Sequence, residues 1–231
     1  MKKNKNGCDL QSCFLCKQSL PEWLPAIAAH KKTYSYKKGE LLFKEGEKVE
    51  GIYFINEGKV KVHKQWGPEK ELIVRIANKG AIVGHRGLGG DGYYPVSGTA
   101  LENVDACFID LAFFESTLKV NHQFTINLLM FFADELQESE RKMRNMAHMT
   151  VKGRIAQCLL SLHEKFGTSA DGCIDIVLSR QDLASFAGTT YETVFRIIND
   201  LANTNVIELV GKNIKITNYA LLQSFIQETE E

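Results

Sequence analysis

The stretch that most constrains this chain is Ser179 to Gly211, SRQDLASFAGTTYETVFRIINDLANTNVIELVG. Ser179 is an N-cap residue ahead of a helix with Leu183, Ala184 and Ala187 on one side; Gly188 ends that helix and Thr189 is placed to cap the next. The second helix sets Val194, Ile197, Ile198 and Leu201 at helical spacing, which fixes its inward face. Its other face presents Tyr191, Glu192, Phe195, Arg196 and Asn199. Downstream, Val206 to Val210 and Ile214 to Ile216 turn at Gly211-Lys212-Asn213, the pattern of a hairpin. Two helices about a glycine turn, with Glu and Arg near the start of the second and a hairpin after it, point to a winged helix-turn-helix that reads DNA.

At 231 residues the chain is long enough for two domains, each with a core of its own. Its 44% hydrophobic and 24% charged residues are ordinary for a soluble globular protein. No run approaches the ~20 apolar residues of a membrane span. The start, MKKNKNGCDL, has lysines with no apolar segment behind them, so no secretory signal is expected, and the chain is assigned to the cytoplasm with no membrane partner. In that compartment its six cysteines are expected as thiols, metal ligands or redox sensors rather than structural disulfides. The 28 Lys and Arg balance 28 Asp and Glu, and residues 149–227 hold seven of each. A DNA-facing surface must therefore come from arrangement on one face, not from bulk charge.

Residues 1–30 contain Cys8, Cys13 and Cys16, then a short helix around Glu22 to His30. From Thr33 to Leu111, short apolar runs are bounded by glycines: Leu41 to Phe43, Gly51 to Ile55, Val60 and Val62 alternating with Lys59, Lys61 and His63, Leu72 to Ile76, and Cys107 to Ile109. Such spacing predicts an antiparallel roll or barrel. Near Phe113 the period becomes helical and stays so through Asn145. Leu129, Phe132, Leu136, Ser139, Met143, Met146 and Thr150 fall on an a/d seam, with Asp134, Glu135, Glu138, Glu140, Arg141, Lys142 and Arg144 as a charged outer face. The seam suits a two-fold helix pair better than packing on the roll. Arg154 to Phe166 predicts a further helix, Ile174 to Leu178 a strand, and Thr217 the cap of a last short helix. The expected fold class is α+β, with a Cys-containing segment (1–30), a roll (31–112), a dimerisation helix (113–148) and a winged helix-turn-helix (149–227).

That order of parts, filled by KKGELLFKEGE, GIYFINEGKVKV and GAIVGHRGLGG in the roll, GRIAQCLLSL at Gly153 to Leu162 and GTTYETVFR at Gly188 to Arg196, resembles the CRP/FNR superfamily of bacterial transcription regulators, and its FNR-like branch in particular. The resemblance implies a cyclic-nucleotide-binding-like roll and a homodimer on a palindromic promoter site in double-stranded DNA. It also implies RNA polymerase as a partner and no enzymatic activity. It places Glu192 and Arg196 at base-contacting positions, with Thr190, Tyr191 and Phe195 completing the DNA-binding set. The chemistry agrees: Arg bonds bidentately to guanine O6 and N7, and Glu accepts from a cytosine amino group. A purely local reading is also concrete, with Thr189-x-x-Glu192 as a capping box and Glu192/Arg196 as an i,i+4 ion pair. Phe195 departs from the small residue common at its position; it either rests on a thymine methyl or covers the helix face.

For the signal, the resemblance implies two options. Cyclic-nucleotide sensors hold the phosphate with an Arg-Ser or Arg-Thr pair and the ribose with a Glu. Here GYYPVSGTALE has Pro95-Val96 where the pair belongs, and GAIVGHRG lacks the Glu, so a cyclic nucleotide is not expected. Arg86, the only arginine nearby, is read as a packing or surface residue. The oxygen-sensing branch holds an iron–sulfur cluster on N-terminal cysteines and one roll cysteine. ALENVDACFIDLAFFE resembles its stretch around Cys107, and Cys8, Cys13 and Cys16 bring the ligand number to four, although their C-x4-C-x2-C order departs from the branch. Unligated redox-reactive thiols, or haem or zinc, are the alternatives, and Cys107 also reads as a small buried strand residue. Cys158 and Cys173 read as structural. The expected signal is of redox, oxygen or nitric-oxide type. The competing functions are a sensor of another small ligand, a ligand-binding module without transcriptional work, and a cupin-like enzyme. The last is disfavoured because His63 and His85 are far apart with no third ligand near either.

Overall fold

A computed structural model of the chain describes residues 2–3, 10–67 and 70–227. Two compact units divide at Leu136/Gln137. The first begins with β1 (Lys2–Lys3), α1 (Phe14–Gln18), a 3-10 turn over Pro21–Trp23 and α2 (Leu24–His30). The roll strands follow: β2 (Lys32–Tyr36), β3 (Leu41–Phe43), β4 (Gly51–Glu57), β5 (Val60–Trp66), β6 (Lys70–Ala77), β7 (Ile82–Val83), β8 (Ser97–Ala100) and β9 (Val104–Asp110). They pair antiparallel in two sheets, ordered β1-β2-β9-β4-β7 and β3-β8-β5-β6.

The apolar runs of β4 and β9 are continuous because these neighbouring strands are covered on both faces. Tyr53, Ile55, Ala106 and Phe108 face the roll interior with Tyr36, Phe43 and Tyr94. Ile52, Phe54, Cys107 and Ile109 face the other way, into a second cluster with Cys13, Leu15, Cys16 and Ile27. Strand alternation thus decides that Cys107 points out of the roll, toward the N-terminal helices. Those helices are seated by Gly80, whose φ of +86° and whose contact with the Ser12 carbonyl (2.3 Å from an added Cβ) leave room for glycine alone. The Phe14 N–H donates to the Gly80 carbonyl at 3.0 Å.

The helical region is two helices, α3 (Leu111–Val120) and α4 (His122–His148), not one. Asp110 caps α3 by accepting from Phe113 N–H, and the buried Asn121 sits at the break. Asn121 Oδ1 accepts from Leu20 N–H at 2.7 Å, while Trp23 Nε1–H donates to Thr117 at 3.1 Å, tying the N-terminal segment to this elbow. Along α4, Leu129, Leu136 and Met143 are 67%, 60% and 61% exposed, one per heptad, and Met146 is exposed too. Phe132, expected on the same seam, instead packs against the cluster that holds the cysteines. Glu135, expected on the charged outer face, is drawn inward by two arginines.

In the second unit, α4 is followed by α5 (Val151–Phe166), α6 (Arg180–Ala187), α7 (Tyr191–Asn203), the hairpin β10 (Ile207–Val210) and β11 (Asn213–Ile216), and α8 (Tyr219–Ser224). The strand expected at Ile174 to Leu178 does not form. Only the bridge Thr168↔Ile174 is present, and the apolar residues of the segment turn inward individually, apart from the exposed Val177. The final helix is capped by Asn218, whose side chain accepts from Leu221 N–H at 3.0 Å, not by Thr217. Among the described residues no helix is long and apolar enough to cross a membrane.

Candidate nucleic-acid interface

Ser179 Oγ accepts from Asp182 N–H at 2.9 Å and starts α6. Gly188, at φ +65°, closes α6 in the left-handed region that glycine adopts without strain. The cap of α7 is Thr190, whose hydroxyl accepts from Thr193 N–H at 3.3 Å, so Thr189 is not the cap and the Thr189-x-x-Glu192 capping box does not form. The shift follows from the Gly188 turn, because Thr189 N–H already bonds the Ala184 carbonyl as part of the α6 ending. Val194, Ile197, Ile198 and Leu201 are buried, which turns Tyr191, Glu192, Phe195 and Arg196 outward. Among the described residues Glu192 and Arg196 share no ion pair, so both heads are available on the exposed face. Tyr191 and Phe195 stack on one another at 6.2 Å.

Two residues outside the expected set position this face. Arg154 of α5 donates through Nε to the Ala187 carbonyl at 3.1 Å and through Nη1 to the Met149 carbonyl at 2.8 Å, which fixes the end of α6 just before the turn. Lys152 pairs with Asp200 of α7 at 3.0 Å and lies over the Phe225 ring. Charged residues inside an otherwise apolar helix, as in VKGRIAQCLL, were the available signal. Arg180, at the start of α6, is held below its ordinary pKa by burial.

In the roll, Cys13, Cys16 and Cys107 are all buried and belong to one apolar cluster, which also contains Phe124 and Leu128 from the first turns of α4. Phe14, between the two N-terminal thiols, packs its ring on Phe124 and Phe131 of α4 at 5.9 and 5.3 Å. Cys8 lies outside the described residues. Among the described residues no three His, Cys, Asp or Glu side chains are grouped to hold a metal ion, so the described thiols alone are not an assembled iron–sulfur ligand set. Cys158 and Cys173 are buried in the second unit, and burial pushes the Cys158 thiol up to about 12.

Arg86 pairs with Glu135 of α4 at 2.9 Å, and Arg75 reaches the other oxygen of that carboxylate at 3.2 Å. His85 is buried against Phe131 and Phe132, and burial first, then Arg75 and Arg86, lowers its pKa to about 3. His63 is elsewhere, on the second sheet: its Nδ1 stands 2.9 Å from Glu71 without hydrogen-bond alignment, and its Nε2 meets Thr99 at 2.8 Å.

An antiparallel roll, a long helix with an exposed apolar stripe and a winged helix-turn-helix with an open recognition face define a DNA-binding protein with an appended roll domain. Residues 33–121 match the cyclic nucleotide-binding domain family, and residues 153–225 match the Crp-like helix-turn-helix domain family. The cAMP-activated global transcriptional regulator CRP of Salmonella typhimurium is 32% identical over 201 residues, covering 84% of this chain and 92% of that protein. The anaerobic regulatory protein of Bacillus subtilis is 30% identical over 198 residues, covering 84% and 82%. The solved structure of FixK2 from Bradyrhizobium japonicum shares the fold, with a TM-score of 0.75 at 22% identity over 84% of this chain and 96% of that one. The chain belongs to the CRP/FNR superfamily and is a DNA-binding transcription regulator, not an enzyme.

Proposed function

We propose that the chain works as a homodimer on a palindromic promoter site, and that its roll reports a redox-type signal, oxygen and nitric oxide included, through the thiols packed against α4. One observation carries this reading: Cys13 and Cys16 lie with the sequence-distant Cys107 in the same buried cluster as Phe124 and Leu128 of that helix. Oxidation or ligation of these thiols changes the size and polarity of groups in a close-packed core, which has no slack to absorb it. Phe14 is the direct link, since its ring touches α4 while its neighbours in the chain carry the thiols. The exposed stripe Leu129, Leu136 and Met143 is the pairing face of residues 113–148. The pairing sets two recognition helices about 34 Å apart, one DNA turn. On each, Glu192 and Arg196 read base edges, with Thr190, Tyr191 and Phe195 beside them, and the DNA-bound dimer meets RNA polymerase.

A cyclic nucleotide is not the proposed signal. Pro95-Val96 supplies no cation, and Arg86 is occupied by Glu135. An iron–sulfur cluster on Cys8, Cys13, Cys16 and Cys107 is the metal form of the reading, and when bound it would supply oxygen-sensitive redox chemistry. Iron, labile sulfide and visible charge-transfer absorption in anaerobically purified protein decide between that form and bare thiols. Thiols that stay unmodified and iron-free under both reducing and oxidising handling would remove the redox reading altogether.

A further inference from the structure

The exposed face of α7 carries two rows of side chains. Glu192 and Arg196 form one row, and Tyr191 and Phe195 form the other, displaced by about 100° around the helix. The aromatic rings stack with an interplanar angle of 18° and stay 44% and 52% exposed, although the same helix buries four aliphatic residues on its inner face. Helix stability gains only slightly from an exposed i,i+4 aromatic contact, so the pair's exposure points to a surface that is covered when DNA is bound.

We propose that Tyr191 and Phe195 act together as an apolar reading edge for thymine. The 5-methyl of thymine is the one apolar group that base edges present in the major groove; the other positions offer donors and acceptors that the faces of the two rings cannot satisfy, the Tyr191 hydroxyl being the one polar group the pair carries. The pair spans four residues, about 6 Å of helix axis, against about 3.4 Å per base step along a strand. It therefore covers two thymine methyls one or two steps apart, beside the base pairs read by Glu192 and Arg196. This rests on the DNA-reading role given to α7 above and adds the class of base it selects.

The test begins with binding sites selected from a random duplex pool by the full chain. Each thymine of the selected site is then replaced by uracil, which removes the methyl and nothing else, and affinity is read by fluorescence anisotropy at fixed salt. One or two thymines per half-site should each lose about 4-fold in affinity, the equivalent of about 0.8 kcal/mol for one buried methyl. The doubly substituted Tyr191→Ser, Phe195→Ser protein should be indifferent to the same replacements, and Phe195→Leu, still apolar, should keep the preference. The proposal is overturned if uracil is neutral at every position, or if it costs the double variant as much as the unaltered chain. If no sequence is enriched and Arg196→Ala binds duplex as the unaltered chain does, the DNA-reading role itself fails, a result distinct from uracil indifference.

Discussion

Arg196 projects from the outer face of α7, where no carboxylate among the described residues holds it, while the buried aliphatic row behind it fixes the direction of the helix. Arg196→Ala should weaken binding to the cognate site by about 1–3 kcal/mol, relaxing preference at one base pair without changing thermal stability; unchanged affinity and preference in a gel shift would remove its base-reading role. His85 gives the roll a pH-dependent stability. Its pKa is lowered from 6.5 to about 3 by burial between Phe131 and Phe132. Below pH 6.5 the unfolded chain takes a proton that the folded roll refuses, so stability is complete above 6.5 and is lost as pH falls toward 3. Between pH 7.5 and 5.5 the roll should lose about 1.4 kcal/mol more than a His85→Phe variant, measured by urea unfolding through tryptophan fluorescence, since Trp23 and Trp66 both lie in the first unit. The recognition face was legible in the sequence because helical spacing alone sorts Tyr191, Glu192, Phe195 and Arg196 from Val194, Ile197 and Ile198. The cap was not, because Thr189 and Thr190 are equally able caps and only the geometry of the Gly188 turn chooses between them. Glu135 was misplaced for a related reason: its partners Arg75 and Arg86 come from distant chain segments that no local pattern connects to α4.

Among the described elements, α4 carries the most exposed large apolar side chains. Leu129, Leu136 and Met143 repeat once per heptad and stay exposed, while Phe124 and Leu128, about 100° around the helix, anchor it to the roll. Leu136→Glu with Met143→Glu should convert a dimer to monomers in light scattering and weaken operator binding at least tenfold; an unchanged dimer mass would place the pairing face elsewhere. The roll was readable from glycine-bounded apolar runs, and the doubly covered strands β4 and β9 betrayed themselves as continuous rather than alternating runs. The segment Ile174 to Leu178 misled because its burial is achieved residue by residue in a loop, where apolar residues pack without a partner strand. The break between α3 and α4 was hidden because Asn121 interrupts the helix with no Gly or Pro to mark it.

For the molecule as a whole, the sequence makes the reader plain and leaves the signal to chemistry. Residues 149–227 are charge-neutral, so a phosphate-facing surface must come from the arrangement of their seven Lys and Arg on one face rather than from bulk charge. The cysteines carry no local signature of their joint burial. Cys13 and Cys16 meet Cys107 in one cluster only because Gly80 lets the N-terminal segment lie close against the roll and strand alternation turns Cys107 toward it. Because Phe14 connects that cluster to α4, thiol chemistry and DNA affinity should be coupled. The direct measurement is the affinity of the full chain, purified without oxygen, for its selected operator before and after controlled exposure to air. Affinity should change at least tenfold between the two states, and Cys107→Ala should abolish that change. Equal affinity in both states would rule the coupling out.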